Sequence, residues 1–160
     1  YQLARDVFGI GFKLADVIAQ RLGFALHSPQ RIRAGIEHVL WELAGDGHTC
    51  FPIREFLPIA QQMLEVDSAL IETEMKDMIQ NNLLAQGDLS EPFIWLKPFY
   101  AYEQSISRDL MRLKTSPLTI RSINALKAAE WVQGQLHIEF APQQKEAVIQ
   151  ALTDKVHIIT

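Results

Sequence analysis

Apolar residues recur at helical spacing along most of the chain, and turn residues interrupt them. Within residues 13–22, Leu14, Val17, Ile18 and Leu22 form one stripe, and Gly23 supplies a stop. Ser28-Pro29 is a start signal, a serine N-cap followed by proline at the first helical position. Ile32, Ile36, Val39, Leu40 and Leu43 continue as a second stripe, which Gly45 and Gly47 end. A third helix is expected over 54–64, with Pro58 in its first turns, where a missing N–H costs least. Asp67 or Ser68 caps a fourth, which turns Leu70, Ile71, Met75, Met78 and Ile79 inward.

The period then changes. Leu83-Leu84-Ala85 and Phe93-Ile94-Trp95-Leu96 flank the turn-rich stretch 86–92, which reads as a β-hairpin with a long tip. Helical spacing returns over 100–113, with Tyr102, Ile106, Leu110 and Leu113 on one side, and Thr115-Ser116-Pro117 breaks it. Another helix is expected over 119–133, ended by Gly134. Pro142 opens a last helix through Leu152, and Val156-His157-Ile158-Ile159 reads as a short buried strand. An apolar strand after a helix is the usual opening of a parallel sheet. The expectation is therefore a piece of a longer protein.

Composition narrows the class. With 48% apolar and 21% charged residues in 160, the chain is of ordinary globular type, which excludes disorder as its main state. No apolar run approaches the ~18 residues of a membrane span, and no export leader is evident. The single cysteine, Cys50, cannot close an internal disulfide, so a cytoplasmic location is the expectation. The net charge of −4 is unevenly spread: residues 51–90 carry −5, whereas 91–134 carry +2. DNA contact, if made, must come from a few placed groups and not from an overall field.

Three constellations carry chemistry. Gly9-Ile10-Gly11-Phe12-Lys13 precedes Leu14-Ala15-Asp16, and two glycines around one apolar residue allow a tight turn between helices. Ile10 can point into the core while glycine N–H groups at the next helix start form an anion site, with Lys13 adding a cation. That is the pattern of a helix-hairpin-helix, a reader of the DNA backbone. A glycine-rich turn with no ligand gives the same triplet, and Ala15 and Ile18, placed for close helix packing, favour the hairpin. Residues 53–96 have the order of a winged helix-turn-helix, but Glu72, Glu74 and Asp77 against Lys76 make a poor major-groove helix. Packing or protein contact is the better reading of that module, ahead of a transcription regulator. Finally, Phe140-Ala141-Pro142-Gln143-Gln144 places a glutamine in a first helical turn, where its amide can pair with an adenine edge.

Other candidates carry less. His48 and Cys50 lack a second pair to complete a metal site, so none is expected. Trp41, Trp95 and Trp131 lie on apolar stripes and read as core or interface. Arg108, Arg112 and Lys114 form a basic edge, usually a solvated face.

The run Tyr1-Gln2-Leu3-Ala4 through Asp16 closely resembles the helix-hairpin-helix region of RecD-like ATP-dependent DNA helicases, the exodeoxyribonuclease V alpha subunit and its stand-alone relatives. Arg31-Ile32-Arg33-Ala34-Gly35 and Gly47-His48-Thr49 with Pro52 are similar to later stations of that family. Pro142 to Val148 is similar to its Q motif, and Val156 to Thr160 to its first motor strand. The resemblance implies a superfamily 1 enzyme that moves 5′ to 3′ on single-stranded DNA in recombination and repair. It implies DNA contact near Gly9, Ile10, Gly11 and Lys13, an adenine contact for Gln144, and ATP with Mg²⁺ in the parent protein. The Walker A loop of the family has no counterpart in this sequence, so no cofactor and no catalytic residue are expected within it.

The expected architecture is mainly α: a helix-hairpin-helix bundle over 1–50, a winged-helix-like module with a small β-hairpin over 51–99, and a helical linker over 100–134. The start of a RecA-like motor domain completes it over 135–160. The expected role is a DNA-binding accessory region of the helicase, with DNA and sister helicase or nuclease subunits as partners and no membrane. The alternative is a protein-interaction scaffold without direct DNA contact.

Overall fold

The computed structural model describes residue 1, residues 11–117 and residues 123–160. Gly9 and Ile10 therefore lie outside the described residues. The chain divides into two compact units, Tyr1–Glu103 and Gln104–Thr160.

The first unit contains α1 (Phe12–Arg21), α2 (Pro29–Gly45), β1 (Cys50–Pro52), α3 (Ile53–Leu64), α4 (Ser68–Gln80), β2 (Leu84–Asp88) and β3 (Pro92–Leu96). It ends in the first turns of α5 (Lys97–Thr115). Pro29 opens α2 as expected, with Ser28 as the N-cap, although the Ser28 hydroxyl makes no capping bond. At α4 the Asp67 carboxylate accepts from the Ala69 N–H at 2.9 Å, which satisfies one of the orphan donors of the first turn. Pro58 is the sixth residue of α3, deeper than expected and past the first-turn positions, so α3 forgoes one intrahelical bond there. Glu65 then ends α3 in the left-handed region (φ 55°).

The three strands form an antiparallel sheet in the order β1-β3-β2. Strand β1 was not expected from the sequence; three residues ending in proline leave no alternation to read. The hairpin is longer and its tip shorter than expected, because Gln86 pairs with Ile94, Gly87 with Phe93 and Asp88 with Pro92.

Helix α2 supplies Ile32, Ile36 and Val39 to the core, α3 supplies Phe56, Ala60 and Leu64, and α4 supplies Ile71, Met75 and Met78. Leu84, Ile94 and Leu96 close it from the sheet. The sequence of elements from α2 to β3, with that strand order, is a winged-helix arrangement, and α2 belongs to the same core as α3 and α4. It starts at Pro29, within the stretch read as the helix-hairpin-helix bundle. Leu70, expected inside, is exposed at the edge of α4.

Helix α1 departs most from its pattern. Leu14, Val17 and Leu22, expected inward, are exposed, while Phe12, Ala15, Asp16 and Ala19 are buried. The inward face is set by an ion pair and by two alanines that permit close approach, not by the most apolar stripe.

In the second unit α6 (Ala125–Leu136) packs on α7 (Pro142–Thr153), with Ala125 and Ala129 buried. The Asn124 side chain caps α6 through the Lys127 N–H at 3.0 Å. Gly134 does not end this helix as expected; it lies inside α6, and His137 (φ 51°) ends it instead. The expected start at Thr119 lies outside the described residues. The expected strand at 156–159 is also absent: those residues form no ladder, and Ile158 and Ile159 are exposed. A strand takes its shape from a neighbour that accepts and donates its backbone bonds, and among the described residues no neighbour does so.

Gly35 of α2 faces Leu64, whose side-chain methyls occupy the place a Cβ would need. Gly35→Ala is expected to destabilise the first unit by about 1–3 kcal/mol through overpacking. Urea unfolding followed by circular dichroism reads this as a lower midpoint at unchanged slope.

Candidate nucleic-acid interface

Gly11 stands as the N-cap of α1 with extended backbone (φ −75°, ψ 170°). Its carbonyl accepts the Ala15 N–H at 3.1 Å, closing the first turn. The N–H groups of the turn's leading residues then have no intrahelical acceptor; among the described residues no side chain caps them, and the turn carries no acidic residue. Among the described residues nothing lies within 4 Å of the position a Gly11 Cβ would take. Lys13 is exposed on the same turn. Amide dipoles, an uncapped helix start and an ammonium group together favour an anion.

What holds this helix start in place is a buried ion pair. Arg31, in the first turn of α2, donates from Nε to Asp16 Oδ1 at 2.8 Å and from Nη2 to Oδ2 at 3.0 Å. Its Nη1 donates to the carbonyls of Leu26 at 3.0 Å and Leu64 at 2.8 Å. Asp16 also accepts from the Tyr1 hydroxyl and, at 3.1 Å, from Gln20 Nε2. One guanidinium thus ties α1, the α1–α2 turn and the end of α3 together. Burial by itself would raise the Asp16 carboxyl; the hydrogen bonds from Arg31 and Tyr1 and the Arg31 charge outweigh it, and the group lies below its ordinary value. Burial and the adjoining carboxylate push the Tyr1 phenol upward, so it stays a donor.

The sequence reading names Asp16 and Arg31 only within longer runs and does not pair them. Asp16 sits among the small residues of α1 and Arg31 stands two residues after Pro29 at the start of an apolar stripe, but nothing in the sequence joins the one to the other.

The winged-helix surface is different in kind. Arg33 on α2 bonds Glu74 at 2.6 Å and Asp77 at 3.0 Å on α4, and Lys76 pairs with Glu72 at 3.8 Å. The acidic groups of α4 are therefore spent on the fold, and the exposed residues Thr73, Lys76 and Gln80 offer one cation. At the other end, Glu103 accepts from Thr49 and, at 3.1 Å, from Trp95 Nε1, which fastens the start of α5 to the sheet. Burial raises the Cys50 thiol beside it, and the Glu103 charge adds to this.

The tryptophans divide. Trp95 is core, whereas Trp41 and Trp131, expected in core or interface, are 54% and 66% exposed. Gln144 uses its Oε1 to accept the Ala141 N–H at 3.1 Å, capping its own helix, which leaves the side-chain amide nitrogen as a donor. Gly11 and Lys13 share one turn in the first unit, and Gln144 belongs to the second. Arg108, Arg112 and Lys114 are exposed, with Arg112 paired to Asp109 at 3.4 Å. Among the described residues no helix is long and apolar enough to cross a membrane.

Residues 1–50 match the family model of the ATP-dependent RecD2 DNA helicase HHH domain. The match spans α1, α2 and the turn between them, so this stretch is similar to the helix-hairpin-helix domain of that helicase family.

Asp16→Ala leaves the Arg31 guanidinium buried without its counter-charge and is expected to cost about 3–5 kcal/mol in urea unfolding at pH 7. The pair's contribution is complete above pH ~4, the ordinary carboxylate value of an unfolded chain, and is lost as pH falls through the lower folded value. The stability gap between the parent chain and Asp16→Asn should therefore narrow as pH drops below about 4.

Proposed function

We propose that the chain is the DNA-engaging accessory region of an ATP-dependent DNA helicase of the RecD-like type, acting in recombination and repair. The observation that carries this reading is the uncapped start of α1 within a RecD2-type helix-hairpin-helix domain. Gly11 and Lys13 meet a backbone phosphate of single-stranded or forked DNA, and the Asp16–Arg31 pair holds that turn in register with α2. Gly9 and Ile10, read from the sequence as part of the same DNA contact, lie outside the described residues.

The motor's chemistry is supplied elsewhere, since no Gly-Lys-Thr or Gly-Lys-Ser occurs in the sequence. Gln144 directs its free amide nitrogen to an adenine edge beside Phe140, at an open hollow lined by Ile138, Phe140 and Val148. ATP with Mg²⁺ belongs to the parent protein and 5′ to 3′ movement to its motor. The location is cytoplasmic.

A second reading has one observation in its favour. The acids of α4 are engaged by Arg33, and its exposed face is nearly neutral. This face suits a partner protein better than a major groove, so the winged-helix module docks a sister subunit.

Fluorescence anisotropy with a labelled oligothymidylate at several salt concentrations separates the two. Lys13→Glu is expected to weaken binding severalfold and to reduce the slope of log Kd against log salt by about one phosphate contact. Undiminished affinity and slope in Lys13→Glu would remove α1 from the DNA path. Salt-insensitive association with a partner and none with DNA would leave the docking role alone.

A further inference from the structure

The exposed Trp41 is the feature of the first unit that the backbone-contact reading leaves unused. Its indole is more than half exposed on α2, inside the stretch that matches the helix-hairpin-helix family. It is also held: Phe99 meets it edge to face at 5.2 Å with planes 66° apart, which fixes the ring and leaves it available on its other side. Trp41 lines a hollow of about 480 Å³ together with Phe12, His38 and Gly11. Phe12 and His38 are themselves stacked, 5.2 Å apart and 22° from parallel. The hollow is thus walled by aromatic rings and reaches the N-cap of α1.

We infer that Trp41 is a stacking platform for one unpaired DNA base, next to the phosphate site at Gly11 and Lys13. This deepens the proposed function and rests on it. A rigid indole stacks on any base, because every base has a π-face. The volume falls in the range of small-ligand sites. In a paired duplex the bases are stacked on one another and cannot enter, so the site selects single strands, forks or gaps over blunt duplex. Continuity with the helix-hairpin-helix turn argues for DNA as the occupant, since one nucleotide then bridges both features.

The test is fluorescence anisotropy with three probes: an oligothymidylate, the same strand carrying abasic positions throughout its centre, and a blunt duplex. The parent chain should bind the oligothymidylate about tenfold more tightly than the abasic strand or the duplex. Trp41→Ala should lose that preference while keeping its abasic-strand affinity, and Trp41→Phe should restore most of it. Circular dichroism of the Trp41→Ala chain confirms folding, and retained abasic-strand binding does so independently. Equal affinity of Trp41→Ala and the parent chain for the oligothymidylate overturns the stacking role but leaves backbone contact standing. Absence of DNA binding by the parent chain at low salt overturns both.

Discussion

The first unit depends on a single guanidinium. Arg31 is buried at the start of α2 and reaches in three directions, to the Asp16 carboxylate, to the Leu26 carbonyl and to the Leu64 carbonyl. A charge in that position is tolerable only when it is paired and hydrogen-bonded, because an unpaired buried ion costs several kcal/mol. The matching partners come from α1, the α1–α2 turn and the last turn of α3. Helix α1 and the winged-helix core are therefore fixed to one another by geometry that few other arrangements would satisfy. Hydrophobic burial alone would not do this, since α1 turns Phe12 and two alanines inward and leaves Leu14 and Val17 outside.

The same logic of matched charges separates the two surfaces. On α1 the first-turn amides and Lys13 have no acidic residue on their own turn. On α4, Glu74 and Asp77 are engaged by Arg33 and Lys76 pairs with Glu72, while Leu70, Thr73 and Gln80 are also exposed. A chain with net charge −4 thereby keeps a small cationic feature at one helix start without an overall basic surface. Fastening of α5 through Glu103 to Thr49 and Trp95 completes the unit at its far edge.

Much of the fold was legible because period and punctuation agree. The stripe Ile32, Ile36, Val39, Leu40 gave α2, Asp67 gave the start of α4, and the change of period gave the hairpin. The failures have identifiable causes. Strand β1 is three residues with a proline, too short for alternation. Helix α1 buries a carboxylate, which an apolar stripe cannot announce. Residues 156–159 have the composition of a strand, but a strand is a property of a pair, and they have no pair among the described residues. At the candidate site, Gly11 and Lys13 were readable from spacing, and Gln144 from its place in a first turn. The Asp16–Arg31 pair was not, because its two residues are fifteen apart and only the packing of α1 on α2 joins them.

The central claim is that DNA approaches the start of α1 and not the face of α4. Amide NMR spectra recorded while an oligothymidylate is titrated into the labelled chain address it residue by residue. The account predicts saturable shifts at Gly11, Phe12, Lys13 and Leu14, with Thr73, Lys76 and Gln80 unmoved. Shifts centred on α4 and the β2–β3 hairpin, with the α1 amides unchanged, would contradict it.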